Sequence, residues 1–125
     1  MRSGIPLASA AVRRWNLRGI ETPAGKRSPV VLHSSDEARA VLVTLEPGEE
    51  LGDHQVKENE FVAVVDGTVR AEAGGESVEA GAGELLAFEP DERRAISSAD
   101  GARLLLFLAP WPGEGHYRGE RPVGS

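Results

Sequence analysis

The sequence predicts an all-β fold, an antiparallel sandwich or barrel. Three observations carry this. From Val30 onward, turn signals built from Gly, Pro, Asp and Ser recur at short intervals: Ser34-Ser35-Asp36, Pro47-Gly48, Asp66-Gly67, Gly74-Gly75, Gly81-Ala82-Gly83 and Asp100-Gly101. The segments between them have strand length and either alternate or run apolar. No stretch after Val30 carries the three-and-four spacing of an amphipathic helix. The 125 residues make one domain, long enough to bury a core, and 15 glycines and 8 prolines suit a turn-rich chain.

Taken in order, Ile5 to Leu17 places Leu7, Val12 and Trp15 among alanines, the pattern of a short helix, with Trp15 as a packing anchor. Thr22 to Pro29 is a loop broken by Pro23, Gly25 and Pro29. Pro29 to Ser34 reads as a first strand. Ala38 to Glu46 reads as a second, with Ala40, Leu42 and Thr44 on one face and Val41, Val43 and Leu45 on the other. Apolar residues on both faces imply burial on both, as in a sandwich or at a dimer contact. Glu46-Pro47-Gly48-Glu49 has the Pro-then-Gly order of a type II turn. Phe61 to Val65 alternates as a strand, and Asp66-Gly67 signals a hairpin returning through Thr68 to Ala73. After Gly74-Gly75 comes a short strand, Glu76 to Ala80, with Val78 as its large inward residue. Leu85 to Phe88 and Arg93 to Ser98 are strands around a turn at Glu89 to Glu92. Ala102 to Ala109 is the most apolar strand of the chain. These boundaries divide the chain into a basic N-terminal arm (1–27), a β-barrel (28–110) and a Pro- and Gly-rich tail (111–125) pinned by Trp111.

Composition excludes several function classes. With no cysteine there is no disulfide, thiol nucleophile or thiolate-bound zinc, which suits a reducing cytoplasm. No apolar run approaches a membrane span, and the arginines near the N-terminus are not followed by the apolar block of a signal peptide. A net charge of -6 disfavours nucleic acid. The basic residues Arg2, Arg13, Arg14, Arg18, Lys26 and Arg27 of the arm stand against Glu21 alone, as a solvated tail or as a segment that packs on an acidic partner, such as a second copy of the chain.

The candidate site lies between Gly48 and Gly67. His54 and Glu60 are an even number of residues apart, so in extended chain that keeps phase both side chains face one way. Gly48, His54, Glu60 and Gly67 resemble the first motif of the cupin family, Gly, five residues, His-x-His, three or four residues, Glu, six residues, Gly. Val56 stands where that motif has its second histidine. Gly83 to Ile96 is similar to the second motif, Gly, five residues, Pro-x-Gly, two residues, His. Here Pro90 is displaced by one and the histidine position falls on Arg94.

The resemblance implies a single-domain jelly-roll barrel. In metal-binding cupins the histidines and glutamate of these motifs ligate one metal ion. Here Val56 supplies no donor, and Arg94 is a permanent cation with donors only. Any divalent transition metal would rest on His54 and Glu60, with His33 or His116 to complete the set, so the expectation is no metal cofactor. In its place the resemblance puts an ion pair between Arg94 and Glu60, with His54 beside it. A slip of one residue would turn Arg93 inward instead. The expected pocket is lined by His54, Val56, Glu60 and Arg94, and its guanidinium suits a small carboxylate or phosphate. Three functions follow: a metal-free binding or sensor module; an enzyme, metal-dependent through an unusual ligand set or using His54 as base; or a structural homodimer with a filled barrel closed by Phe61, Phe88 and Leu106. Epimerases of this fold use a His–Asp pair that has no counterpart here.

Overall fold

The computed structural model describes residues 12–21 and 29–112, and for Asp53 and His54 the backbone alone. The expected basic arm, the loop at 22–28 and the tail beyond Pro112, with His116, therefore lie largely outside the described residues. The described part of the segment 5–17 holds no helix.

The strands are β1 (Val30–Ser34), β2 (Arg39–Leu45), β3 (Glu50–His54), β4 (Asn59–Ala73), β5 (Glu76–Gly81), β6 (Leu85–Phe88), β7 (Arg94–Ser97) and β8 (Ala102–Ala109). All pairings among them are antiparallel. The ladder runs β1-β2-β8-β4-β7-β3, with β5 and β6 also on β4. Asn59 to Gly67 of β4 pairs with β8, and Glu60 to Ala63 with β6. Thr68 to Ala73 pairs with β5, and Arg70 to Ala73 with β7. One long strand thus serves two sheets that curl around a common interior, the jelly-roll arrangement.

The hairpin expected at Asp66-Gly67 does not form; β4 continues through it. The pairing of β4 with β8 shifts register between Val64 and Asp66, and Gly67 has φ +81. A Cβ on Gly67 would lie 2.2 Å from the Gly101 carbonyl oxygen. The left-handed residue therefore serves a bulge that bends the strand from one sheet into the other. The long-range partner wins because β8 presents Leu104, Leu106 and Leu108 to the same interior as Val62 and Val64 of β4. The hairpin forms instead at Gly74-Gly75, whose φ values of 59 and 80 suit a type I′ turn between β4 and β5. The turn before β3 is as expected, with Gly48 at φ 85 and Glu49 N–H donating to Glu46 O at 2.9 Å.

The core packs at one end of the interior, where Leu45, Val64, Val69, Ile96 and Leu104 are buried together. Leu42, on the opposite face of β2 from Val41 and Val43, is also fully buried, so β2 is covered on both sides. Val78 shares a face with Ala80, Ala71 and Val69, yet stays 47% exposed because β5 is an edge strand with no neighbour to cover it. Between the N-terminal segment and the barrel, Arg18 donates to Val65 O at 3.3 Å and Arg103 to Leu17 O at 2.9 Å. Trp15 is partly exposed there, and Arg13 Nη1 lies 3.0 Å from His33 Nδ1 on the edge strand β1. No helix among the described residues is long and apolar enough to cross a membrane.

Candidate functional site

Glu60 is the second residue of β4. It has the inward phase of Val62 and Val64, and its register partners are Leu108 on β8 and Phe88 on β6. Arg94 opens β7 on the facing sheet, opposite His54 on β3 and Ala73 on β4. Each of the two residues is 1% exposed. Arg94 crosses the interior so that Nη1 donates to Glu60 Oε1 at 2.7 Å. Nη2 donates to the Glu89 carbonyl at 2.8 Å, and Cζ lies 4.9 Å from the centre of the Phe88 ring. Nε has no acceptor among the described residues.

Register decides which arginine enters. Arg93 faces outward and donates from Nη2 to Gln55 Oε1 at 2.9 Å. The turn that sets this register is tied down by Asp91, which stands where the second motif keeps a glycine and takes that residue's left-handed backbone, φ 64. Its N–H donates to Val56 O at 2.7 Å, and its carboxylate meets Lys57 Nζ at 2.7 Å. The β6–β7 turn is thereby clamped to the β3–β4 connection, and the two halves of the motif stay in phase.

Beside the ion pair lies a cavity of about 570 Å³. Val41 and Val43 of β2, Leu106 and Leu108 of β8, Leu51 of β3 and Val56 line it. Its size falls within the range of small-molecule sites. Glu60 is part of this wall and Arg94 is not; Arg94 stands behind the carboxylate and borders a groove beside Gly74 and Gly75. Phe61, expected to close the interior, faces outward, while Phe88 is buried beneath Arg94. The backbone of His54 pairs with that of Arg94, adjacent to the site.

Two further residues meet at this end: Arg39, not singled out from the sequence, and Trp111, expected there only to pin the tail. Arg39 lies on the inward phase of Val41, Val43 and Leu45 and lines the cavity. Its Cζ sits 4.2 Å from the centre of the Trp111 ring, and its Nε donates to Ser34 Oγ at 3.3 Å. Trp111 is fixed by its N–H, which donates to Glu37 O at 3.1 Å. The alternation of β2, extended back by two residues, was the available signal for Arg39. Nothing local pointed to Trp111 as its stacking partner.

Two curled antiparallel sheets with motif residues meeting between them define a jelly-roll β-barrel fold. The sequence matches the model of the cupin domain over residues 41–109, more than half of the chain, and the chain belongs to the cupin family. Solved structures agree. A cupin protein from Desulfovibrio desulfuricans superposes with a TM-score of 0.69 at 18% identity, covering 79% of this chain and 96% of that one. An uncharacterised double-stranded β-helix protein from Klebsiella pneumoniae gives 0.68 at 15% identity, covering 79% and 90%. KdgF from Halomonas sp. gives 0.63 at 17% identity, covering 66% and 76%. At these identities the likeness is one of fold. No curated protein matches the chain.

Proposed function

We propose that this chain is a cupin that binds a small molecule in the cavity beside Glu60 and works without a metal. The observation that carries this reading is the Arg94–Glu60 ion pair. Of the four ligand positions the family motifs supply, one holds Val56 without a lone pair and another holds a guanidinium that cannot lose its proton. One oxygen of the remaining carboxylate is committed to that guanidinium at 2.7 Å. A divalent ion there would face a fixed positive charge, and among the described residues no three His, Cys, Asp or Glu side chains gather to hold one elsewhere. The donor set does not fit the ion. The walls that remain are apolar, with a few polar groups, the composition of an organic-ligand site. The cysteine-free chain is assigned to the cytoplasm on the same reading.

Elemental analysis of protein purified without chelator, beside a thermal-shift screen of metals and small organic molecules, tests the proposal. Organic compounds should raise the melting temperature saturably, and Leu106→Trp should block that rise by filling the cavity. One equivalent of zinc, iron or nickel retained per chain would overturn it.

We further propose that two copies associate through the outer face of the β6-β4-β8-β2 sheet. Ala87, Phe61, Phe107 and Ala40 form one row across these strands, and Leu85, Ala63 and Leu105 the next, which ends at the buried Leu42. Leu85 is 64% exposed, Phe107 40% and Phe61 37%, an apolar grid of the kind that marks an association surface.

A further inference from the structure

We infer that the cavity takes a monocarboxylate with an apolar body, and that Arg39 is the residue that reads the acid. This rests on the cavity being a ligand site, as proposed above.

The lining of the cavity carries two charged side chains, Glu60 and Arg39. Glu60 is neutralised from behind by Arg94. Arg39 lines the same wall and, among the described residues, forms no ion pair. Arg39 therefore stands in the lining without an acid partner among the described residues, beside an apolar surface where the attraction for an anion is stronger than in water. The geometry of Arg39 favours a carboxylate in particular. Stacking on Trp111 at 4.2 Å holds the guanidinium plane, and the hydrogen bond from Nε to Ser34 Oγ uses one in-plane donor. Among the described residues no acceptor engages Nη1 or Nη2, so the end edge of the fork remains available. That edge matches the two oxygens of a carboxylate, and its plane is already fixed before the ligand arrives.

The rest of the wall sets the body of the ligand. Val41, Val43, Leu106 and Leu108 offer no hydrogen bonds, so the part of the molecule beyond the acid must be apolar. With Glu60 paired to Arg94, the single guanidinium of Arg39 in the lining matches a monoanion rather than a phosphate dianion. The anion site anticipated at Arg94 is thereby moved. Arg94 is held by Glu60 and the Glu89 carbonyl and is not in the wall; Arg39 is in the wall and has no acid.

The test is calorimetric titration of the full chain with hexanoate and phenylacetate, each against its primary amide, and with inorganic phosphate. The acids should bind at least about tenfold more tightly than the amides, since only the acid makes a charge-assisted contact with the guanidinium. Arg39→Gln, with folding verified by far-ultraviolet circular dichroism, should erase the preference for acid over amide, and Arg39→Lys should retain part of it. Equal binding of acids and amides would overturn the assignment of Arg39 while leaving the ligand cavity standing. So would a preference that survives in Arg39→Gln, or phosphate binding more tightly than the acids. Binding of none of these probes would remove both readings.

Discussion

Arg94 and Glu60 meet across the interior of the barrel, 34 residues apart in sequence and 2.7 Å apart in space, each carried by a different sheet. The contact ties β7 to β4 at the end of the interior where the apolar core gives way to the cavity. With both side chains shut off from water, each charge depends on the other. Glu60→Ala should destabilise the fold by roughly 3–5 kcal/mol, because it leaves the guanidinium buried and uncompensated. Urea unfolding measures this; a shift within error would mean that water reaches Arg94.

The reverse substitution tells stability from specificity. Replacing both partners with apolar residues, Glu60→Leu with Arg94→Met, should cost far less than Glu60→Ala and approach neutrality. Arg94 Nε has no acceptor among the described residues, so the native pair is itself imperfectly satisfied. The same unfolding series compares the double variant with each single one. A double variant as unstable as Glu60→Ala would show that the site cannot be repacked.

The bend in β4 predicts a contrast between two glycines. Gly67→Ala would set a Cβ 2.2 Å from the Gly101 carbonyl oxygen and also hold alanine at φ +81. Gly48→Ala faces the backbone penalty alone, since nothing lies within 4 Å of its Cβ position at φ +85. The second should cost about 1–2 kcal/mol, the left-handed penalty, and the first clearly more. Thermal unfolding of the two variants side by side decides it. Equal losses would mean that β4 and the Gly101 turn separate without cost.

The division of the interior into a packed end and an open end predicts a second contrast. Leu104 is fully buried among core residues, so Leu104→Ala should cost about 2–5 kcal/mol through lost transfer energy and a new cavity. Leu108 already borders the cavity, so Leu108→Ala removes fewer contacts and should cost less. If the two losses were the same in denaturant unfolding, the cavity would be closed in solution.

The outer sheet face predicts oligomeric state. Sedimentation should find a dimer at micromolar concentration, and Phe107→Glu should yield a folded monomer, because a carboxylate at the centre of the grid would be desolvated on association. A wild-type monomer at high concentration would sink the proposal.

Much of this architecture was legible in the residues themselves. The strands at Val30–Ser34, Arg39–Leu45, Leu85–Phe88 and Ala102–Ala109 follow from short apolar runs between Gly, Pro and Asp turns. Those signals are local: a pleated strand alternates sides, and glycine enters the left-handed conformations that turns require at little cost. Motif spacing likewise pointed to the barrel, and to Glu60 and Arg94 as neighbours. What local chemistry could not settle was the partner of each strand. Asp66-Gly67 has the composition of a hairpin, yet β8 pairs with the residues up to Gly67 while β5 and β7 pair with those after it, so the two sides form one bent strand between two sheets. Arg39 shows the same limit. Its phase was readable from β2, but its stacking on Trp111 and its place beside a carboxylate already neutralised by Arg94 depend on groups far apart in sequence. Alternation and turn chemistry are written along the chain; charge balance in a cavity is a sum over residues that only folding brings together.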